Sequence, residues 1–90
     1  MKKVRIRVIG RVQGVFFRMY TKKKAKELEL AGWVRNETDG SVLIVAAGDD
    51  QKVEQLISWC YQGSPWAKVL KVDVKNEENP VDVNGFEVRR

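Results

Sequence analysis

Ninety residues, 43% hydrophobic and 32% charged, describe one globular domain over 1–90 with a modest core, and exclude a disordered chain or a second module. The formal net charge of +5 favours anionic partners: phosphorylated metabolites, nucleic acid or an acidic membrane surface. The lone Cys60 excludes an internal disulfide, and the absence of histidine excludes an imidazole base, a phosphohistidine intermediate and a histidine-containing metal site.

Along the chain, residues 3–9 alternate, with Val4, Ile6 and Val8 on one face and Arg5 and Arg7 on the other, which reads as a half-buried strand. A loop with two glycines, Gly10 to Phe17, follows. Residues 19–30 read as a helix, since Thr21, Ala25 and Leu28 share a face and most of the rest is Lys and Glu. Ala31-Gly32 ends it by the preference of helix C-termini for glycine. Trp33–Thr38 reads as a short strand, Asp39-Gly40 as a hairpin turn, and Ser41–Ala47 as a near-continuous apolar strand that belongs in the middle of a sheet. Gly48 stops it, and Asp49 or Asp50 caps a second helix on which Val53, Leu56, Ile57 and Cys60 recur at helical spacing. Gly63-Ser64-Pro65 breaks that helix. Val69–Val74 alternates as a strand, 76–84 is a polar loop, and Phe86–Val88 is a short last strand.

Strand, helix, strand, strand, helix, strand is the split β-α-β order of a ferredoxin-like α+β sandwich, βαββαβ. Right-handed crossovers put both helices on one face of a mainly antiparallel sheet, with the short C-terminal strand added. The longest apolar run, Val42–Ala47, is far short of the ~20 residues of a membrane span, and Met1-Lys2-Lys3 leads into no signal-peptide core. A cytoplasmic protein with no membrane partner is expected.

The stretch Gly10-Arg11-Val12-Gln13-Gly14-Val15-Phe16-Phe17-Arg18 carries the chemistry. A glycine-bearing loop between strand and helix lets backbone N–H groups converge, the helix N-terminus adds its positive dipole end, and Arg18 supplies a planar fork matched to phosphate oxygens. These describe an anion cradle. Taken alone, Arg18 also reads as a surface arginine paired with Glu, and Asn36 as a turn residue before Asp39-Gly40. Lys22-Lys23-Lys24 reads as a solvated helix face that can also steer anions. Cys60 lies on the apolar stripe of the second helix and reads as core. A Cys-x5-Arg phosphatase is excluded because Trp66 holds the arginine position, and no Gly-Lys-Ser/Thr follows Gly14 to make a Walker loop. Asp49, Asp50 and Glu77-Glu78 read as a cap and a solvated loop, and no metal site is expected. Thr38 and Ser41 are placed to hydrogen-bond the turn and hold Asn36.

Gly10-x-Val-Gln-Gly-Val-x-Phe-Arg18, and then Gly32-Trp-Val-Arg-Asn36-x-x-x-Gly40-x-Val42 with Gly48 beyond it, resemble the two signatures of the acylphosphatase family (acylphosphate phosphohydrolases), in the same order and separation. The resemblance runs from about Val4 to Val88. It implies the same fold and a hydrolase acting on an acid anhydride, which splits a small-molecule acyl phosphate into a carboxylate and inorganic phosphate without metal, cofactor or covalent intermediate. It implies Arg18 and Asn36 as catalytic residues, and Gln13, Gly14, Val15, Phe16, Phe17 and Arg18 as the phosphate-binding loop. Arg18 would clamp the phosphate and Asn36 would orient the attacking water, whose proton passes to a phosphate oxygen. Inorganic phosphate is the expected product and competitive inhibitor, and a monomer the expected state. Two departures from the family pattern stand out. Phe16 occupies a position where many members have glycine, so its side chain is expected to point away from the cradle. Trp66 is bulky and is expected to cover a sheet edge. The alternative from composition is a basic ferredoxin-like nucleic-acid-binding module. Such sheets stack bases on aromatics of their central strands, and Val4–Ile9 and Val42–Ala47 carry none.

Overall fold

A computed structural model describes the whole chain, Met1–Arg90. β1 (Lys2–Arg11) buries Val4, Ile6 and Val8 and extends two residues past its expected end. Gly10 lies inside it, at a register shift against the neighbouring strand, with φ 140°. A Cβ there would sit 2.2 Å from the Lys68 carbonyl oxygen, so glycine admits the close approach that forms the bulge.

α1 (Phe17–Glu27) starts and ends earlier than its periodicity suggests. Its apolar stripe is as read, with Thr21, Ala25 and the C-capping Leu28 buried. Glu29, at φ 57°, turns the chain left-handed; its N–H bonds the Lys26 carbonyl (3.0 Å), and the Leu30 N–H bonds the Ala25 carbonyl (2.9 Å). This is a Schellman closure with glutamate in the place usually held by glycine. Gly32 therefore does not end the helix. It lies in β2 (Ala31–Asn36), where a Cβ would come within 1.8 Å of the Val45 carbonyl oxygen.

β3 (Val42–Gly48) is buried on both faces. Asp49 caps α2 (Asp50–Cys60), its carboxylate accepting from the Gln51 and Lys52 N–H groups at 3.1 and 3.3 Å. β4 (Lys68–Asn76) and β5 (Phe86–Arg89) complete a sheet of order β4-β1-β3-β2-β5. All pairings are antiparallel except β2 with β5, which is parallel. With the helices on one face, this is the ferredoxin-like α+β arrangement, and β5 extends it beyond β2.

One core cluster joins Val4, Ile6, Val8, Val34, Ile44 and Ala46 of the sheet to Ala25, Val53, Leu56 and Cys60 of the helices. On the opposite face Leu43 and Val45 are also buried. Their register neighbours are Arg7 and Arg35, and Arg5 and Trp33, whose long side chains shield them while the charged ends stay wet. Those ends are paired: Arg5 with Glu77, Arg7 with Glu37 and Asp39, Arg35 with Glu37. No helix is long and apolar enough to cross a membrane.

Candidate active site

The loop after β1 is held in shape from three sides. Val12 is buried in the core. The Gln13 Nε2 donates to two carbonyls of the β2–β3 turn, Glu37 (2.8 Å) and Ser41 (2.9 Å). The Ser64 hydroxyl donates to the Val15 carbonyl (2.7 Å), so the Gly63-Ser64-Pro65 segment that ends α2 also braces the loop. Gln13 and Val15 thus anchor the loop and do not line the cavity beside it.

Phe17 fixes where α1 begins. It is buried, lies 5.4 Å from the Trp59 ring, and fits under Gly63, where a Cβ would come within 2.5 Å of it. The residue before it, Phe16, takes the left-handed conformation (φ 61°, ψ 22°) and offers no side-chain cap to the helix. The amide N–H groups from Gly14 to Met19 accordingly have no backbone acceptor, and the first turn of α1 carries no acidic residue. Unpaired amides at the positive end of a helix form an anion site.

A cavity of about 530 Å³ opens over these amides. Gly14, Phe16, Phe17 and Arg18 line it from the loop and helix, and Asn36 from the end of β2. Met19 and Lys22 from α1, Val12 and Val88 complete the wall. Residues 18 and 36, far apart in sequence, therefore share one cavity. Arg18 forms no ion pair with Glu; its Nη1 donates to the Arg89 carbonyl of β5 (2.8 Å), leaving most of the guanidinium fork open to another acceptor. The Asn36 Oδ1 is buried and has no hydrogen-bond partner. A buried, unpaired acceptor is costly in a folded protein and is a mark of a site built to take a donor.

The turn that follows Asn36 is rigid. Ser41 is its hub: its N–H (2.9 Å) and hydroxyl both donate to Asp39 Oδ1, and it accepts from Arg7 (2.8 Å). These bonds, with Arg7 nearby, hold the Asp39 carboxyl below its ordinary range. Thr38 makes no side-chain hydrogen bond, so of that pair only Ser41 bonds within the turn. Lys22 reaches the cavity, whereas Lys24 faces Glu27. No three His, Cys, Asp or Glu side chains are grouped as metal ligands require.

Two features had no sequence signal. Arg89 contributes through its backbone carbonyl, which no residue type encodes. Trp66, expected at a sheet edge, packs edge-on against Phe16 (5.8 Å) of the loop and Tyr20 (6.3 Å) of α1.

Known proteins resemble this chain over nearly its whole length. The family model described as Acylphosphatase matches residues 4–88. The acylphosphatase of Thermococcus kodakarensis is 50% identical over 90 residues, 98% of each chain, and that of Methylococcus capsulatus 46% over 90 residues, covering all of this chain and 98% of the other. The crystal structure of the Bacillus subtilis acylphosphatase superposes with a TM-score of 0.94 at 36% identity, over 100% of both chains.

Proposed function

The chain belongs to the acylphosphatase family, hydrolases of acyl phosphates, and we propose that Arg18 and the loop amides bind the phosphate while Asn36 orients the attacking water. The observation that carries this reading is the meeting of three complementary features at one cavity: unpaired amides, an arginine with no anionic partner, and an unpaired buried carboxamide oxygen.

An acyl phosphate is a mixed anhydride, and its carboxylate is already a competent leaving group. Covalent catalysis is then unnecessary, and orientation with charge stabilisation suffices. The phosphoryl group sits on the amides at the start of α1, with Arg18 forking two of its oxygens and balancing charge in the transition state. Water donates one hydrogen bond to Asn36 Oδ1, which holds its lone pair toward phosphorus. An amide is too weak a base to remove the proton, which passes to a phosphate oxygen. The P–O bond to the acyl oxygen breaks, and carboxylate and inorganic phosphate leave. On this reading the negative charge is met by a guanidinium and main-chain dipoles, so no metal, cofactor or covalent intermediate takes part.

We read the protein as a cytoplasmic monomer whose partner is the small-molecule substrate, with neither nucleic acid nor membrane bound. The ion-paired arginines of the open sheet face support that reading. The test is hydrolysis of benzoyl phosphate with EDTA present. The wild type is expected to keep its rate under chelation, with inorganic phosphate a competitive inhibitor. Arg18→Gln is expected to lose on the order of a thousandfold in kcat/KM. Loss of turnover under EDTA, or an unaffected Arg18 variant, contradicts the reading.

A further inference from the structure

Two guanidinium groups stack on Trp33. The central carbon of Arg35 lies 5.0 Å from the centre of the indole, and that of Arg89 4.9 Å. Both are within reach of a cation–π contact. A carboxylate two residues away orients each cation: Glu37 accepts from Arg35 Nε (2.9 Å) and Glu87 from Arg89 Nε (3.2 Å). Val34, the next residue of β2, belongs to the core cluster, so Trp33 projects from the sheet face away from the helices. Arg89 meanwhile serves the cavity through its main chain, its carbonyl accepting from Arg18 Nη1 (2.8 Å). One residue is thus held by its side chain on Trp33 and holds Arg18 by its backbone. The rest of β5 secures residue 89 only weakly. The strand has four residues, pairs only with β2, and buries only Phe86, at its other end. Such a segment opens locally at low cost unless something ties it down.

Resting on the assignment of the phosphate to Arg18, we infer that Trp33 is a positioning residue for that arginine: by stacking on Arg89 it fixes the carbonyl that aims the Arg18 guanidinium. Trp33 does not line the cavity and touches no reacting atom. An arginine has a flexible stem and five N–H donors in one plane. Bonding one donor to a fixed carbonyl restricts rotation of that plane and leaves the remaining donors for phosphate oxygens. A carbonyl that wanders restricts nothing. Indole suits the task, since it attracts cations more strongly than the other aromatic rings. Trp33 is itself well anchored, because β2 is paired on both sides, with β3 and with β5.

The test is calorimetric titration with inorganic phosphate of the wild type, Trp33→Leu, Trp33→Phe, Arg89→Ala and the double variant Trp33→Leu with Arg89→Ala, beside Arg18→Gln. Trp33→Leu and Arg89→Ala are each expected to weaken phosphate binding about two- to threefold, the size of one exposed cation–π contact. The double variant is expected to bind like either single one, because both changes remove the same contact. Trp33→Phe keeps a ring face and is expected to fall between Trp33→Leu and the wild type. A general packing fault at position 33 would instead give losses that multiply in the double variant, with no recovery by phenylalanine. The same cycle run with Trp33→Phe decides the matter if Trp33→Leu does not fold. Losses that multiply, or wild-type affinity in Trp33→Leu, overturn the clamp; if Arg18→Gln still loses phosphate, the proposed function stands. Full phosphate affinity in Arg18→Gln overturns both.

Discussion

Few single residues decide whether this loop keeps its shape, and Gln13 is foremost among them. Its amide spans from the loop to two carbonyls of the β2–β3 turn, so one side chain registers the loop after β1 against the strand that ends in Asn36. Gln13→Ala leaves both carbonyls without that donor and is expected to cost about 1–3 kcal/mol in unfolding free energy. It is also expected to lower kcat more than it weakens phosphate binding, because the loop drifts relative to Asn36; urea unfolding and steady-state kinetics on one preparation check both. At this scale the sequence was only partly legible. The glycine-loop-arginine motif marks Arg18 plainly, but glycine's several uses are hard to separate. Gly32 resembles a helix terminator and is instead a strand residue beneath the Val45 carbonyl, while the residue that does turn the helix out, Glu29, gives no sign of a left-handed backbone.

Element by element, the site depends on β5 more than four residues at the end of a chain suggest. Its pairing with β2 is parallel, and it brings the Arg89 carbonyl to the Arg18 guanidinium and Val88 to the cavity. Hydrophobic periodicity located this strand but could not say which edge it joins, since so short a segment carries no register information of its own. Deleting Arg89 and Arg90 removes the carbonyl that holds Arg18 while keeping Phe86 and Val88 in place. Phosphate binding is expected to weaken about three- to tenfold by isothermal titration. Arg89→Ala, which retains the carbonyl, is expected to do less. The ends of α1 were equally hidden. Its start is set by Phe17 docking against Trp59 and Gly63 on a distant element, and its end by a backbone closure around a non-glycine residue. Its interior, where apolar spacing repeats, was readable throughout.

Over the whole molecule, alternation and apolar runs were enough to give the order of elements, the central place of β3 and the side on which the helices lie. Burial also imposes a chemical state on Cys60. Desolvation raises its thiol from 9.0 to about 12 in the folded protein. Above pH 9 the unfolded chain gives up this proton while the folded chain keeps it, so stability is lost as pH rises, by about 1.4 kcal/mol per unit from this group. The window to examine is pH 9 to 10.5, before Lys2 and Lys52, held above their ordinary values by bonds to Glu54 and Glu29, lose charge. Denaturant titrations across it are expected to show the wild type falling more steeply than Cys60→Ala; parallel curves would mean the thiol is not protected.

The division of labour in the cavity is tested most directly by inorganic phosphate affinity and acyl phosphate turnover, measured together on the wild type, Arg18→Gln and Asn36→Ala. The expected result is a split: the asparagine variant binds phosphate within about threefold of wild type yet turns over at least about a hundredfold more slowly, and the arginine variant loses phosphate binding. Turnover at wild-type rate in Asn36→Ala, or full phosphate affinity in Arg18→Gln, would contradict it.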